Sequence, residues 1–378
     1  MTSGSVTFRN GALFDGGRLH FGQAVVFHDG ALAALEPEER AKNQGQVIDL
    51  NGDTLCPGYV DLQVNGGDGV MFNDDPSVET IRRITDAHRR LGVASLLPTL
   101  ITDTPEKTQA AIQAATEAVR AGVPGVAGLH LEGPHLSVAR KGAHDGALIR
   151  PMEDADLTAL IEAAGELPCL KVTLAPESVS EQQVKALFDA GILVSLGHTD
   201  ADFATCQRYA AAGARCVTHL FNAMSQLGSR EPGLVGAALA NGSFSAGLIA
   251  DGIHVHPEVM RAAWAAKTAP GQIFLVSDAM AVAGTDQNAF GLEGRRIART
   301  DGRLTLEDGT LAGADLDLTT AIRNLVTHVG VPLQEALAAA TTYPASLIGQ
   351  TAAQPLQYAS MIRISSGLDT CDWLPVQM

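Results

Sequence analysis

Three side chains in the sequence suit a divalent metal ion: those of Glu132, His198 and His219. Each comes at the end of a short apolar run, in the segments HLEGPH, LGHT and VTHL. One carboxylate with two imidazoles is a common ligand set of catalytic zinc ions, whose fourth position stays open for water. Any one of these residues alone is better explained as a polar group near the rim of the fold. The set of three has no such explanation and predicts a catalytic metal site.

Asp278 is the candidate general base. It follows the apolar run Ile273–Val276 with one serine between them. An aspartate after a strand more often caps a helix when it stands alone. Beside the three candidate ligands, we interpret it as the group that takes a proton from the metal's water and returns it to a leaving group.

Two loop residues are candidates for substrate contact. His144 follows a small residue in the segment RKGAHDG, where it suits a hydrogen-bond donor to a substrate carbonyl. An exposed basic turn is the alternative explanation of that segment. Arg230, in the segment GSREP, could bind a phosphate through both arms of its guanidinium group, although a solvated loop arginine is the better explanation of this residue taken alone.

A scaffold must bring these residues together. From Pro57 onward, strand-like apolar runs alternate with amphipathic stretches such as 76–91 and 180–190, a pattern typical of βαβ units. Eight such runs predict an α/β fold, a closed (β/α)₈ barrel of the TIM type, with its active site at the carboxyl ends of the strands. The predicted strands are Tyr59–Val64, Val93–Leu100, Val126–Leu131, Leu170–Ala175, Ile192–Leu196, Cys216–His219, Ala246–Ala250 and Ile273–Ser277.

The chain before the barrel has a different pattern. Three short β runs lie between residues 6 and 55, separated by turn signals such as Asp29-Gly30 and Asn51-Gly52. We therefore predict a small β domain over 1–56, the barrel over 57–345 and a C-terminal tail over 346–378. The Gly- and Asn-rich segment 220–245 is predicted to be a long loop over one face of the barrel.

Composition excludes several classes of protein. The 378 residues carry 26 Lys and Arg against 42 Asp and Glu, a formal charge of −16, without a basic run. Such a chain would repel nucleic acid phosphates. It has neither a membrane-length apolar stretch nor a signal-peptide pattern at its start, so we expect a cytoplasmic protein. The five cysteines are scattered singly, which indicates reduced thiols rather than a disulfide framework.

Nine motifs taken together resemble a known family. In chain order they are PGYVDLQVNGG, HLEGPHLS, RKGAHD, SLGHTDA, THLFNAMSQL, REPGLVGAAL, DGIHVHPE, LVSDAM and LAGADLDL. Each is weak alone, but their order and spacing are similar to those of the N-acetylglucosamine-6-phosphate deacetylase family of the amidohydrolase superfamily. With the β runs, the likeness extends over residues 6 to 349.

The resemblance implies a barrel with a small β-sandwich-like domain, and hydrolysis of N-acetylglucosamine 6-phosphate to glucosamine 6-phosphate and acetate. It implies a divalent ion on Glu132, His198 and His219, a metal-activated water with Asp278 as general base and acid, and His144 as the group that polarises the acetyl carbonyl. Family members are commonly homodimers that share the phosphate-binding arginine, so we expect a homodimer with Arg230 at its interface. The residues implied in substrate binding are Gln63, Ala143, Asn222, Ala223, Arg230, His254, Leu311, Ala312 and Gly313.

The chain departs from the superfamily pattern after the first strand. Many amidohydrolases carry His-x-His there and hold two metal ions, whereas this chain has Gln63-Val64-Asn65, a variation also known in the family. Neutral amides are poor ligands for a borderline-soft ion. We therefore expect one divalent ion per chain, with zinc as the preferred metal.

The tail is the second departure. After Gly349 the family usually has a Gly-rich turn, an Ala-Asp pair and an apolar strand that returns to the β domain. Here the tail begins QTAAQPLQYAS, and it is either a diverged strand or a sequence shifted out of its reading frame. Its only β run, Met361–Ile364, is very short, so an unstructured tail is the favoured prediction.

Two other functions stay open at this point. One is a different amidohydrolase, such as an enzyme that opens a cyclic amide, for which Arg230 and His254 would be dispensable. The other is a barrel that binds a sugar phosphate without turning it over. Asp278 argues against the latter, because simple binding has no use for a base beside the metal site.

Overall fold

A computed structural model describes residues 4–292, 294–351 and 355–375. Its largest element is a sheet of eight parallel strands that neighbour one another in chain order. The segment after the last strand nearly closes the sheet: the Asp278 N–H donates to the Gln63 carbonyl at 3.1 Å, and the Asn65 N–H to the Ala279 carbonyl at 2.9 Å. The strands are Tyr59–Val64, Val93–Ile101, Leu129–Glu132, Leu170–Leu174, Leu193–Leu196, Cys216–Val217, Ser245–Leu248 and Ile273–Leu275.

The predicted (β/α)₈ barrel is therefore confirmed. Helices separate the strands, and their starts follow from local sequence: the Ser77 hydroxyl accepts from the Thr80 N–H at 3.2 Å, and Ser180 forms a capping box with Gln183. No described helix combines the length and the apolar character needed to cross a membrane. The helices are Val78–Arg90, Pro105–Arg120, Asp154–Ala164, Glu181–Asp189, Phe203–Ala212, Gly233–Ala240, Pro257–Ala266, Leu318–Asn324 with a π-helical continuation Leu325–Val329, Leu333–Ala340 and Thr342–Leu347.

A layer of polar side chains crosses the barrel interior below the strand ends. His130 lies in the third strand, and its two ring nitrogens contact the hydroxyls of Thr99 at 3.2 Å and Thr173 at 2.7 Å. The hydrogen-bond network continues from the Thr173 hydroxyl to the Thr218 hydroxyl at 2.7 Å, and from the Thr218 hydroxyl to the Ser195 hydroxyl at 2.6 Å. All five side chains are buried. These hydrogen bonds therefore link four strands and Thr218, which follows the sixth strand, where apolar packing is usual.

Two further sheets form the small β region. One has four strands in the spatial order Ala31–Pro37, Gln23–His28, Ser5–Arg9 and Gln46–Asp49. Their inward side chains, among them Phe8 and Phe27, pack against the second sheet in one apolar cluster, so the two sheets form a sandwich. The strands of the second sheet, in spatial order, are Cys371–Trp373, Met361–Ile364, Thr54–Pro57, Ala12–Phe14 and Leu19–Phe21.

The prediction of an unstructured tail is wrong for its described part. Met361–Ile364 pairs antiparallel with Thr54–Pro57, and Cys371–Trp373 pairs with Met361–Ile364 in turn. The tail also fills the sandwich core with four buried side chains, those of Leu356, Tyr358, Met361 and Leu374. A four-residue β run is too short to be predicted as a strand on its own. It is stabilised in the fold because it pairs with the edge of the sheet and because the tail side chains fill the sandwich core. The predicted domain boundaries remain predictions.

Two segments of the barrel differ from expectation. The predicted loop 220–245 contains the helix Gly233–Ala240, which is buried along almost its whole length. An additional antiparallel sheet follows the last barrel strand. Its strands are Ala289–Leu292, Arg295–Thr300 and Arg303–Thr305, and it packs over the mouth of the barrel through Leu292, Ile297 and Leu304.

Candidate metal centre and substrate cavity

The three predicted metal ligands converge at the barrel mouth. The Nε2 atoms of His198 and His219 lie 3.2 and 3.0 Å from Oε1 of Glu132, and 3.0 Å from each other. All three side chains are buried. They are the one group of ligand-type residues in the described chain found close enough together to hold an ion.

The spacing of these atoms matches the needs of a tetrahedral ion. Metal–ligand distances of about 2.0 to 2.1 Å place neighbouring ligand atoms about 3.3 Å apart, close to the three observed separations. The His198 ring directs Nδ1 at the Arg140 carbonyl, 2.9 Å away, so Nδ1 carries the proton and Nε2 presents a lone pair. Two buried imidazole nitrogens 3.0 Å apart repel each other unless a cation or a proton lies between them. The residues present therefore fit a divalent ion.

Three residues of the site have a strained backbone conformation. His198, His219 and Asp278 have φ values of 47°, 31° and 50°. Side chains other than glycine rarely adopt this left-handed conformation, and it persists where surrounding structure enforces it, often at functional sites. Each residue comes just after a barrel strand, and the abrupt turn aims its side chain into the mouth.

Two amides hold the predicted base in place. Oδ1 of Asp278 accepts from Nδ2 of Asn65 at 2.7 Å and from Nε2 of Gln63 at 3.0 Å. Oδ2 has no hydrogen-bond donor within the described residues, which leaves it available for a proton. Burial raises the pKa of Asp278, and the nearby Glu132 carboxylate raises it further. A raised pKa brings a carboxylate closer to the range in which it both accepts and returns a proton.

Gln63 lies between the two carboxylates of the site. Its Nε2 is 3.3 Å from each carboxylate oxygen of Glu132 and also donates to Asp278. The side-chain amide oxygens, Oε1 of Gln63 and Oδ1 of Asn65, are buried without a hydrogen-bond partner in the described chain. The structure thus places Gln63 behind the ligands, where its amide protons separate two negative charges.

His144 stands beside the metal centre. Its ring lies against the His198 ring, with centroids 4.4 Å apart. Burial lowers the pKa of His144 to about 3. The imidazole is therefore neutral at physiological pH, and its loop is held by the Arg295 guanidinium, which donates to the Ala143 carbonyl at 2.9 Å.

A cavity of about 440 Å³ opens above these groups. A larger cleft of about 730 Å³ lies near the amino ends of the barrel strands and includes none of the predicted site residues. Most predicted site residues line the smaller cavity, namely Glu132, Ala143, His144, His198, His219, Asn222, Ala223, His254, Asp278, Leu311 and Gly313.

Three predicted substrate contacts are not on the cavity wall. Gln63 is the buried residue described above, and Ala312 is buried beneath the turn that Leu311 and Gly313 form. Arg230 is exposed in the loop before the helix Gly233–Ala240. Their roles in binding remain predictions.

Four residues that form hydrogen bonds to site residues were not predicted from the sequence to do so. Asn65 bonds Asp278, and Arg295 bonds the His144 loop. The other two are Thr102, which bonds His144, and Asp251, which bonds His254. Asp251 is three residues before His254, a spacing that could have suggested the pair. Thr102 and Arg295 carry no such signal, because only the folded barrel brings them to their partners.

The barrel, the adjacent carboxylate and a Glu/His/His group that could hold a metal ion are typical of a hydrolase site of the amidohydrolase type. A statistical description of the amidohydrolase family matches residues 54–352. The chain therefore belongs to the amidohydrolase family.

Within the amidohydrolase family, the chain is similar to several deacetylases of N-acetylated sugar phosphates. The chain is 44% identical over 299 residues to an N-acetylgalactosamine-6-phosphate deacetylase of Shewanella sp. (strain ANA-3), with 79% of this chain and 75% of the relative covered. It is 34% identical to the N-acetylglucosamine-6-phosphate deacetylase of Haemophilus influenzae, over 86% and 85% of the two chains. The crystal structure of N-acetylglucosamine-6-phosphate deacetylase from Pasteurella multocida superposes with a TM-score of 0.88 at 33% identity, covering 97% of each chain.

Proposed function

We propose that this protein hydrolyses the N-acetyl group of N-acetylglucosamine 6-phosphate to give glucosamine 6-phosphate and acetate. The observation that carries the proposal is the juxtaposition of a three-ligand metal site with Asp278 in one cavity, in a chain related to deacetylases of this substrate class. A protein that only bound sugar would have no need of a buried carboxylate there.

The residues divide the reaction between them. An ion held by Glu132, His198 and His219 supplies Lewis acidity to a water molecule and to the acetyl carbonyl. Asp278 takes a proton from the attacking water on Oδ2 and later gives it to the departing amine nitrogen. His144 donates a hydrogen bond to the acetyl oxygen, where negative charge develops in the transition state.

We assign the phosphate to the end of the cavity that contains His254. Nδ1 of His254 donates to Asp251 at 2.6 Å, so Nε2 is the ring atom left for a ligand. No lysine or arginine of the described chain lines the cavity, although the substrate carries a dianion. We infer that Arg230 of a second copy supplies the missing cation, because Arg230 is exposed and has no ion-pair partner within the described residues. Leu227, in the same loop, is 59% exposed, as expected of a residue that a second subunit covers.

One divalent ion per chain, with zinc as the preferred metal, is part of this proposal. Only Glu132, His198 and His219 form a ligand set, and Gln63 already donates to Glu132 and Asp278 where a second ion would need acceptors. Elemental analysis of purified protein measures the metal. Two tightly held metal equivalents per chain would contradict the single-ion assignment. A complete absence of bound metal would contradict the proposal that the protein is a metalloenzyme.

Acetate release tests the activity directly. Purified protein with measured metal content is mixed with N-acetylglucosamine 6-phosphate, and acetate and free amine are quantified. Chelation should abolish the release, and added metal should restore it. Absence of release from metal-loaded protein would refute the proposed reaction.

A second substrate is favoured by one relative. The Shewanella protein with 44% identity is named for the galactose epimer, N-acetylgalactosamine 6-phosphate. The two sugars differ only at C4, away from the acetamide. We therefore include the epimer as the second candidate and expect kcat/KM for the two substrates to decide between them.

A further inference from the structure

We propose that Thr102 fixes the proton of His144 on Nε2, so that His144 acts as a neutral hydrogen-bond donor toward the substrate. The role of His144 in catalysis rests on the function proposed above. The position of its proton rests on contacts within the chain alone.

The contacts of Nδ1 determine the tautomer. The Thr102 backbone N–H points to Nδ1 of His144 at 3.3 Å, and the Thr102 hydroxyl lies 2.8 Å from the same atom. A backbone N–H can only donate. Nδ1 must therefore accept, and a neutral His144 carries its proton on Nε2.

The hydroxyl adds to this preference. Apart from Nδ1, the acceptor that the Thr102 hydroxyl reaches is the Glu132 carbonyl at 3.5 Å, a much poorer hydrogen bond. The hydroxyl thus donates to Nδ1, and two donors meet one lone pair. A proton on Nδ1 would face the backbone N–H at close range and leave it without an acceptor.

The adjacent backbone segment at Gly133 leaves room for the Thr102 hydroxyl. Gly133, the residue after Glu132, has φ +91°, and a Cβ there would lie 2.2 Å from the Thr102 hydroxyl oxygen. A glycine is therefore required where the third strand passes Thr102. Thr102 is only 1% exposed, so bulk water hardly competes with Nδ1 of His144 for its hydroxyl.

The consequence for chemistry concerns the other nitrogen. Nε2 makes no hydrogen bond within the described residues, and the ring lines the cavity. With its proton fixed there, His144 can stabilise a developing oxyanion but cannot remove a proton. This assignment leaves proton transfer to Asp278 alone. Thr102 is accordingly a positioning residue that acts through His144.

Nitrogen NMR reads the tautomer independently of activity. Zinc-loaded protein labelled with ¹⁵N-histidine is recorded at one neutral pH, and the His144 signals are identified by comparison with His144→Gln. A protonated and an unprotonated imidazole nitrogen differ widely in chemical shift. We expect Nδ1 to be unprotonated and Nε2 protonated, and the reverse pattern would overturn the proposal even if the enzyme were inactive.

Two variants of Thr102 separate the hydroxyl from the shape of the side chain. Thr102→Val keeps the shape and loses the donor, and we expect kcat to fall about five- to tenfold with KM little changed, since one hydrogen bond is lost. Thr102→Ser keeps the donor and should retain nearly full kcat. Equal losses in both variants, or a loss confined to KM, would contradict a tautomer-fixing role. If the wild type releases no acetate, the proposed function fails, whereas the NMR result still decides the tautomer.

Discussion

The floor of the cavity and its rim are built differently. At the floor, Glu132, His198 and Asp278 are buried and held by strand ends, with hydrogen-bond partners already in place. What we call the rim is the exposed loop that carries Arg230, a residue that does not line the cavity. The difference supports the proposal that one chain holds the groups that cleave the amide, whereas recognition of the phosphate also uses Arg230 of a second chain.

The largest effect should come from the floor. Asp278→Asn removes the proton acceptor but keeps the size of the side chain, and general acid–base groups contribute about 10²- to 10⁴-fold. We expect a loss of kcat in that range, with metal content and melting temperature close to those of the parent. Near-normal kcat in metal-loaded protein would remove Asp278 from the mechanism.

The rim should affect binding more than chemistry. Arg230→Ala should raise KM for the phosphorylated sugar by about 10- to 100-fold, because a charge-assisted bond to the dianion is lost. KM for unphosphorylated N-acetylglucosamine should hardly change. Equal changes with both sugars would contradict a role in phosphate binding.

Mixing two impaired variants, assayed at a substrate concentration well below the raised KM, tests whether Arg230 acts in a partner's site. Dimers formed from Arg230→Ala and Asp278→Asn chains contain one site with both residues intact. We expect activity to rise on mixing if Arg230 acts across the interface. A mixture no more active than its components, in protein shown to exchange subunits, would place Arg230 in its own chain's site.

His254 also lines the cavity, and disturbing it should have a smaller effect. Asp251 accepts from the His254 ring and from the backbone N–H groups of Ile253 and His254, each at 2.8 Å or less. Asp251→Asn weakens the hydrogen bond that orients the His254 ring, and we expect KM for the phosphorylated sugar to rise about tenfold. The unphosphorylated sugar serves as the control, and a fall in kcat for both sugars would instead indicate a disturbed metal site.

The C-terminal tail belongs to neither the floor nor the rim of the cavity, so we expect its deletion to affect stability and not catalysis. Deleting residues from Gln350 onward removes buried Tyr358 and Met361 and exposes the strand Thr54–Pro57. We expect the melting temperature to fall by about 10 °C or more, since each large apolar side chain contributes about 2 kcal/mol. kcat per metal-loaded molecule should stay unchanged. An unaltered melting temperature would show that the tail strands do not stabilise the protein.

Sequence reasoning worked best where chemistry and topology coincide. Glu132, His198 and His219 were predictable because a parallel barrel brings strand ends to one mouth, so their positions in the chain determine their positions in space. It failed for Met361–Ile364, whose pairing depends on an edge formed more than 300 residues earlier. The helix Gly233–Ala240 was hidden for a related reason: its small residues lack amphipathic periodicity, because nearly every face is buried.

The left-handed backbone at His198, His219 and Asp278 has a cost that selection must maintain. Glycine adopts such φ values freely, whereas each of these residues bears about 1 kcal/mol of strain. The three side chains also hold charge and lone pairs against one another in a buried space. A chain with glycine at these positions would be free of this strain but would lose the proposed ligands and base, so function and not stability accounts for the three residues.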